Sequence, residues 1–346
     1  MAMTTRVGRR QQQQKRSGLG NIRFSSKRLF RTILISLAFL ALVPPLFFIF
    51  KLKTFRLTQL RKCGWLNSPP LVCAHGGDSS SAFPNTMAAY HSALNSQVDC
   101  IEIDVSRSSD GVLLALHDRD LQRISGNNTS KVGHFSMKEI KRLGSNYQSA
   151  KFHDANIPTI EEALKLVASS VREVVLDVKV GPPSFEKGLA KDVLDVVERI
   201  QCRNCVVWAK SDNIARDVIR LSSDIMVKSN ALFSFFCSLH PNRVVTNQVG
   251  YIVMIDHSTG VRTNLLRMRD ARVVGVYHPL IDEKLVRILH GRNKKVYAWT
   301  VDDAKSMENM LWERVDAIVT SNPSMLQGLI QDTRRECLEH GFSLSE

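Results

Sequence analysis

The sequence predicts an α/β protein: a closed (β/α)₈ TIM barrel with a hairpin extension, preceded by a single N-terminal transmembrane helix. Ten short apolar runs, rich in β-branched residues, lie between residues 71 and 321, and segments with helical spacing of apolar residues separate them. Such alternation builds parallel sheets, and ten runs in about 250 residues fit a closed barrel better than an open sheet. Residues 33–50 are 18 consecutive uncharged, mostly apolar residues, which predicts the membrane helix.

Charge is distributed unevenly between the N-terminal segment and the rest of the chain. Residues 1–77 contain 14 Lys and Arg and no acidic residue, whereas residues 78–346 contain 33 basic and 33 acidic residues. The neutral balance of the predicted barrel argues against a nucleic-acid-binding surface, which needs a basic face. We therefore expect no nucleic-acid partner, and we assign residues 1–32 to a basic disordered tail.

The flanks of residues 33–50 predict the orientation of the membrane anchor. Nine Lys or Arg residues precede it and five follow it before Cys63, so the positive-inside rule places the N-terminus in the cytosol and the barrel in the lumen or outside the cell. Overlapping glycosylation sequons at Asn127 and Asn128 agree with that side and predict a glycoprotein. The alternative is an acid-free, Arg-rich organelle transit peptide followed by a membrane segment.

The remaining chain is divided into a linker (51–70), the barrel (71–330) and a C-terminal tail (331–346). Eight of the ten runs are expected to form the barrel, and the pattern does not indicate which two lie outside it; the runs are residues 71–75, 98–105, 112–117, 173–180, 205–210, 224–229, 251–255, 273–278, 295–301 and 315–321. The seven cysteines are an odd number, so at least one thiol is free or pairs with another chain. Cys202 and Cys205 have metal-ligand or redox spacing, but the chain has no second such pair, which favours ordinary cysteines.

Polar and aromatic side chains stand at the ends of several predicted strands. In a (β/α)₈ barrel the catalytic groups lie at the C-terminal ends of the strands. Seven candidates occupy such positions in this sequence: His75, Glu102, Asp104, His117, Asp177, Lys179 and Trp299. Each has an ordinary structural explanation when taken alone, but their shared position predicts a site.

The chemistry of these residues suits phosphodiester cleavage. Glu102, Asp104 and Asp177 are hard oxygen ligands on adjacent strands, which predicts a site for Mg²⁺ or Ca²⁺. Lys179 would supply a point charge to a phosphate. The two histidines can remove a proton from the nucleophile and return one to the leaving alkoxide. Trp299 is predicted to pack against substrate carbons, with a barrel-core position as the alternative.

Six ordered motifs between about residues 71 and 330 resemble the glycerophosphodiester phosphodiesterase family. They are "AHGGDSSSAFPNTMAAY", "IEIDVSRSSDGVLLALHD", "IPTIEEAL", "LDVKV", "YAWTVDD" and "VDAIVTSNP". The resemblance implies a TIM barrel with a small insertion after the second strand. It also implies that His75 and His117 are the catalytic histidines and that Glu102 and Asp104 are metal ligands.

The sequence departs from the family pattern at several site positions. Gly76 stands where the family has an arginine after the first histidine, and Pro84 aligns, without a gap, with an acidic residue. The third metal ligand, usually glutamate, is the shorter Asp177, and the aspartate of the closing motif is Ser321. Asp78, in the first loop, is the candidate to replace the missing acid.

The leading functional hypothesis is metal-dependent hydrolysis of glycerophosphodiesters, such as glycerophosphocholine, to sn-glycerol 3-phosphate and an alcohol. A lysophospholipase D that uses the same site on a lysolipid substrate is an alternative, because a membrane anchor would hold the barrel near such lipids. Gly76 and Pro84 motivate a third hypothesis, a catalytically weak barrel with a binding role.

Overall fold

A computed structural model describes residues 26–147, 152, 155–233, 248–256 and 258–343, without the side chains of residues 223–233 and 248. The chain divides into two compact units, Met1–Thr58 and Gln59–Glu346. Within the first unit, the described part is the long helix α1 (Ser26–Cys63), which continues into the second unit. Most of the predicted basic tail, residues 1–25, lies outside the described residues.

Helix α1 contains the whole predicted membrane span. It is long and apolar enough to cross a membrane, and its side chains from Ser26 to Thr58 are exposed. Pro44 and Pro45 lie inside the helix, a position that proteins tolerate better in a bilayer than in water. The helix also extends through residues 51–63, so most of the segment assigned as a linker is helical.

The second unit contains a closed barrel of eight parallel strands. The strands are β1 (Leu71–His75), β2 (Cys100–Arg107), β4 (Glu173–Val178), β5 (Cys205–Ala209), β6 (Gln248–Val253), β7 (Val273–Tyr277), β8 (Lys295–Trp299) and β9 (Ala317–Thr320). They follow one another in chain order around the sheet, and β1 pairs with both β2 and β9, which closes the barrel. The short strand β3 (Leu113–Ala115) pairs antiparallel with β2, which confirms the hairpin extension.

Helices lie between the strands along the chain, and most of them contribute to the core outside the barrel. They are α2 (Met87–Asn95), α3 (Asp118–Ser125), α4 (Met137–Ser145), α5 (Ile160–Val167), α6 (Leu189–Arg199), α7 (Asp212–Phe233), α8 (Glu283–His290), α9 (Ala304–Glu313) and α10 (Pro323–Glu339). Between β2 and α5 the chain contains β3, α3 and α4, and this segment has its own small apolar cluster, which includes Leu114, Leu121 and Ile140. This is the predicted insertion after the second strand.

Two of the ten predicted strand runs lie outside the barrel. Residues 112–117 contain β3, whereas the prediction of a strand at residues 224–229 was wrong, because this run lies within α7. A short apolar run cannot be distinguished from a buried helix segment by its composition alone. Here the helical spacing that begins with Ile214 and Val218 continues through it.

The barrel interior is filled by side chains that alternate with those of the outer core. Trp208 on β5 is the largest of them, and it packs against Gly250 and Gly275 on the next two strands. A Cβ at Gly275 would lie 2.6 Å from the Trp208 ring, and a Cβ at Gly250 would lie 2.8 Å from Trp208 Cβ. The interior therefore accommodates an indole only because both neighbouring positions lack side chains.

The described residues form three disulfides: Cys63–Cys337, Cys73–Cys100 and Cys202–Cys205. The interpretation of Cys202 and Cys205 as ordinary cysteines was therefore wrong, and the seventh cysteine, Cys237, lies outside the described residues. Cys337 belongs to α10, so the segment assigned as a C-terminal tail is helical to residue 339 and is covalently linked to the end of α1.

Candidate active site

A cavity of about 520 Å³ lies at the C-terminal ends of the barrel strands. Its lining includes six of the seven predicted site residues: His75, Glu102, His117, Asp177, Lys179 and Trp299. The seventh, Asp104, is fully buried beside them and is ion-paired with Lys179. The strand-end positions thus converge on one site, as the barrel architecture requires.

The alternation of side chains along β2 and β4 directs the carboxylates inward. Ile101, Ile103 and Val105 pack in the outer core, so Glu102 and Asp104 between them point to the barrel interior. Asp177 on β4 is the register partner of Asp104, so the two carboxylates lie side by side on neighbouring strands. In the same way, His75 on β1 is the register partner of Glu102.

The three carboxylates are buried, and their surroundings shift their pKa values in different directions. Burial, reinforced by the charges of Asp104 and Asp177, raises the pKa of Glu102 well above its usual range. Burial also raises the pKa of Asp177, although Lys179 opposes this effect. Burial disfavours ionised Asp104 as well, but Lys179 and the neighbouring histidines and arginine outweigh it and lower its pKa.

Lys179 compensates part of this negative charge. Its Nζ lies 2.7 Å from Asp104 Oδ1 and also pairs with Asp177 Oδ2. Burial alone would lower the pKa of Lys179, but the carboxylates raise it above the usual lysine value, so the side chain is fully charged. The lysine predicted to contact phosphate is therefore held in place by two of the predicted metal ligands.

Hydrogen bonds assign a tautomer to each histidine. His117 caps α3, and its Nδ1 accepts a hydrogen bond from the backbone N–H of Arg119 at 3.1 Å, which leaves the proton of the neutral ring on Nε2. His75 Nε2 lies 3.2 Å from Arg119 Nη2, a group that only donates, so this nitrogen is unprotonated. Burial, the largest effect in both cases, lowers the pKa of each histidine to about 4.

The donor set fits a hard divalent cation. His75, Glu102 and Asp104 each offer a ligand atom, and these atoms all lie within 4.8 Å of one another. Asp177 is not part of that group, but its Oδ1 is buried and has no hydrogen-bond partner among the residues that the structure describes. An unpartnered buried carboxylate oxygen is costly unless a cation is bound, and oxygen-rich sites select Mg²⁺ or Ca²⁺ over softer metals.

Trp299 lines the cavity, and Asp78 does not join the acidic cluster. The Trp299 ring lies 5.7 Å from the Tyr277 ring, and within the described part of the chain its buried Nε1 has no hydrogen-bond partner. Asp78 is buried, but it accepts hydrogen bonds from the hydroxyls of three serines, Ser80, Ser81 and Ser92. Its role is to order the first loop, so the expectation that it replaces the missing acid was wrong.

Sequence reasoning missed two residues that contact the carboxylates and histidines. Asn85 donates from Nδ2 to Asp104 Oδ2 at 2.8 Å and accepts from the Asp104 backbone N–H at 3.1 Å, so it fixes this carboxylate from both sides. Its position within the "FPNT" segment of the first motif could have indicated it. Arg119 directly follows the His117-Asp118 pair, and only the structure shows that its side chain turns back towards His75.

Comparison with known sequences gives consistent results. A model of the glycerophosphoryl diester phosphodiesterase family matches residues 75–325. The chain is 58% identical over 320 residues to "Glycerophosphodiester phosphodiesterase GDPD4" of Arabidopsis thaliana, covering 92% of this chain and 91% of that protein. It is 26% identical over 267 residues to a glycerophosphodiester phosphodiesterase of Caldanaerobacter subterraneus, covering 75% of this chain and 98% of that protein.

Solved structures share the fold. A glycerophosphodiester phosphodiesterase from Parabacteroides distasonis matches with a TM-score of 0.58 at 18% identity, covering 77% of this chain and 98% of that chain. An Oleispira antarctica phosphodiesterase, solved in complex with the product sn-glycerol-3-phosphate, matches with a TM-score of 0.54 at 21% identity, covering 76% and 97%. At these identities the similarity demonstrates the barrel fold alone.

Proposed function

The chain belongs to the glycerophosphoryl diester phosphodiesterase family and is a phosphoric diester hydrolase; from this premise we propose that it hydrolyses glycerophosphodiesters, such as glycerophosphocholine, to sn-glycerol 3-phosphate and an alcohol. The observation that supports this proposal is the convergence of two carboxylates, a lysine and two histidines on one cavity, with the third carboxylate, Asp104, buried directly behind Lys179. The Oleispira enzyme, which has the same fold, was solved with sn-glycerol-3-phosphate as its product.

Glu102 and Asp104 would hold the divalent cation together with Asp177, whose buried Oδ1 has no hydrogen-bond partner among the described residues. When bound, such an ion polarises phosphoryl oxygens and stabilises the charge that develops on them. Lys179 would add a second positive charge while it keeps Asp104 and Asp177 in place. Burial of these groups strengthens each electrostatic interaction, because the local dielectric constant is low.

The two histidines would divide the proton transfers. The unprotonated Nε2 of His75 suits it to take a proton from the attacking water or hydroxyl, whose oxygen forms the new bond to phosphorus. His117 would act as the acid in its imidazolium form, in which Nδ1 also carries a proton and no longer accepts from Arg119 N–H; its Nε2 proton would go to the alkoxide that leaves as the P–O bond breaks, and the ring would be left neutral. A bound phosphodiester anion favours the charged form of an adjacent imidazole, which would raise the low pKa of His117 towards neutrality.

A hydrolysis assay on the full-length chain in detergent tests this function. We expect release of glycerol 3-phosphate from glycerophosphocholine, its loss with EDTA, and its recovery when Mg²⁺ or Ca²⁺ is added back. His117→Ala should lower kcat by at least about 100-fold, the usual contribution of a general acid. His290→Ala is a matched control, because His290 pairs with Asp316 at the opposite end of the barrel. Full activity in excess EDTA would contradict metal dependence.

A lysolipid substrate is the second candidate. One observation favours it: apolar residues, among them Val178, Ile252 and Met254, line part of the cavity, and Val180 at its edge is exposed. The same assay discriminates the two candidate functions, because a lysophospholipase D would release choline from lysophosphatidylcholine but not from glycerophosphocholine. A folded chain with no activity on either substrate would support the binding role.

We further propose that α1 anchors the enzyme and that the barrel lies in the lumen or outside the cell. Three disulfides among the described residues are consistent with an oxidising compartment. The sequon residues Asn127 and Asn128 are exposed, as glycosylation requires. In cells, a glycosidase-sensitive mass shift that Thr129→Ala and Ser130→Ala together abolish is expected. Barrel fragments that are digested by protease from the cytosolic side would contradict this orientation.

A further inference from the structure

We propose that Arg119 is a substrate-binding residue that grips the phosphodiester anion and, in doing so, frees His75 for proton transfer. The proposal rests on the proposed function, since it concerns the phosphate of the same substrate. Arg119 lies in the first turn of α3, its side chain is half exposed, and it lines the cavity.

The contacts of the guanidinium leave most of its donors available. Nη2 lies 3.2 Å from His75 Nε2 and 3.7 Å from Asp104 Oδ2, and Nε lies 3.9 Å from Asp120 Oδ2. Only the first of these three distances is that of a hydrogen bond, whereas a guanidinium has five N–H donors. The planar fork matches the oxygens of a phosphate group in a bidentate contact.

Neighbouring residues are less suited to this role. Lys179 is held by Asp104 and Asp177. Gly76, which follows His75, has a φ of +61°. A Cβ there would lie 3.1 Å from Pro84 Cβ and 3.2 Å from the backbone nitrogen of Asn85. A longer side chain at that position would therefore be strained, so the loop after β1 offers no cation next to His75.

The position of Arg119 couples binding to catalysis. Its backbone N–H donates a hydrogen bond to His117, and its guanidinium donates one to His75. An anion bound by this residue therefore lies next to both imidazoles. While Nη2 donates a hydrogen bond to His75 Nε2, that nitrogen cannot accept a proton from another group. Transfer of the guanidinium to phosphate oxygens removes this block, and substrate entry thereby prepares the base.

Arg123 is a matched control on the same helix. Its side chain is 49% exposed, compared with 50% for Arg119, and it pairs with the same carboxylate, Asp120, at 3.3 Å. Its guanidinium, however, lies over the Phe83 ring at 4.8 Å. Arg119→Gln and Arg123→Gln therefore remove the same charge from the same helix, but only the first removes a group directed at His75.

Calorimetric binding of glycerol 3-phosphate to the full-length chain in detergent, with saturating Mg²⁺, tests the proposal. Arg119→Gln should raise the Kd by about 10- to 100-fold, the effect of one lost charge-assisted contact. Arg123→Gln should change the Kd by less than about threefold. Equal affinities in the two variants would overturn the role of Arg119. If Arg119→Gln does not fold, Arg119→Lys replaces it, with an expected loss of at least about threefold because the fork is absent; wild-type affinity in that variant overturns the proposal.

Kinetics separate this proposal from the proposed function. Wild-type chain that binds glycerol 3-phosphate but releases none from glycerophosphocholine would contradict the substrate assignment and leave the binding comparison intact. If the wild type is active, Arg119→Gln should raise KM and lower kcat, and added guanidinium should restore part of the activity. Restoration of equal size in His117→Ala would show that the effect is not specific to Arg119.

Discussion

Replacing Lys179 by methionine removes the cation that lies between Asp104 and Asp177. The distance of 2.7 Å from Nζ to Asp104 Oδ1 corresponds to about 6 kcal/mol of attraction at an effective dielectric constant of 20. Desolvation of the lysine offsets part of this, and breaking a buried ion pair typically costs about 3–5 kcal/mol. We expect the free energy of unfolding of the metal-free chain to fall by about 3 kcal/mol, since Lys179 is 26% exposed.

A divalent cation should reverse most of this loss. Without the lysine, the carboxylates carry more uncompensated charge, so the variant binds the cation more tightly than the wild type and regains more stability from it. Hydrolysis should still fall, by about 100-fold, because the variant lacks the positive charge with which Lys179 stabilises the phosphate. The variant thus separates cation binding from catalysis, two properties that a general defect in folding would lower together.

Thermal unfolding followed by tryptophan fluorescence, with EDTA and with saturating Mg²⁺, measures these differences. Lys191→Met is the control, since Lys191 and its partner Asp195 are exposed on α6, and we expect no measurable change. A Lys179→Met variant that loses the same stability with and without cation would refute the shared-charge account.

Two further predictions concern packing and the first loop. Gly275→Ala should destabilise the barrel by about 1–3 kcal/mol, because its Cβ would lie 2.6 Å from Trp208. Gly328→Ala in α10, whose added Cβ would contact no other described part of the chain within 4 Å, should be neutral or stabilising by about 0.5–1 kcal/mol; equal thermal shifts would contradict this. Asp78→Ala should cost about 2–3 kcal/mol through the lost hydroxyl hydrogen bonds. Burial would raise the pKa of Asp78, but these hydrogen bonds lower it below the ordinary 3.8, so the stability it contributes is present above that pH and is lost as the pH falls through the folded value. The difference from wild type should therefore narrow in acid, and a constant difference would argue against an ionised Asp78.

The sequence was sufficient for the barrel because strand runs and helices alternate, and a parallel sheet closes with little further information. The sequence did not show whether the apolar run at residues 224–229 is a strand or part of a helix. The helical pattern of the preceding residues continues through this run, but it excludes a strand only when the sheet order is known. The Cys63–Cys337 disulfide could not be predicted from the sequence either. Cys63 and Cys337 are 274 residues apart, and only the packing of α10 against the end of α1 brings them together.

For the site, strand position predicted which residues converge but not how their side chains are paired. Glu102 and Asp104 were recognisable because strand alternation places both on the same face. The pairing of Lys179 with two carboxylates depends on the register between β2 and β4, which the sequence does not encode locally. Arg119 lies on the helix after the motif, and its approach to His75 depends on how that helix packs.

Calorimetric titration of Mg²⁺ into the EDTA-stripped full-length chain tests the shared carboxylate site most directly. We predict one ion per chain and, because burial and its neighbours raise the pKa of Glu102, proton release on binding and an affinity that increases with pH. Asp177→Asn should raise the Kd for Mg²⁺ at least about tenfold. A wild-type chain that hydrolyses its substrate yet binds no divalent cation, or an Asp177→Asn variant with unchanged affinity, would contradict the account.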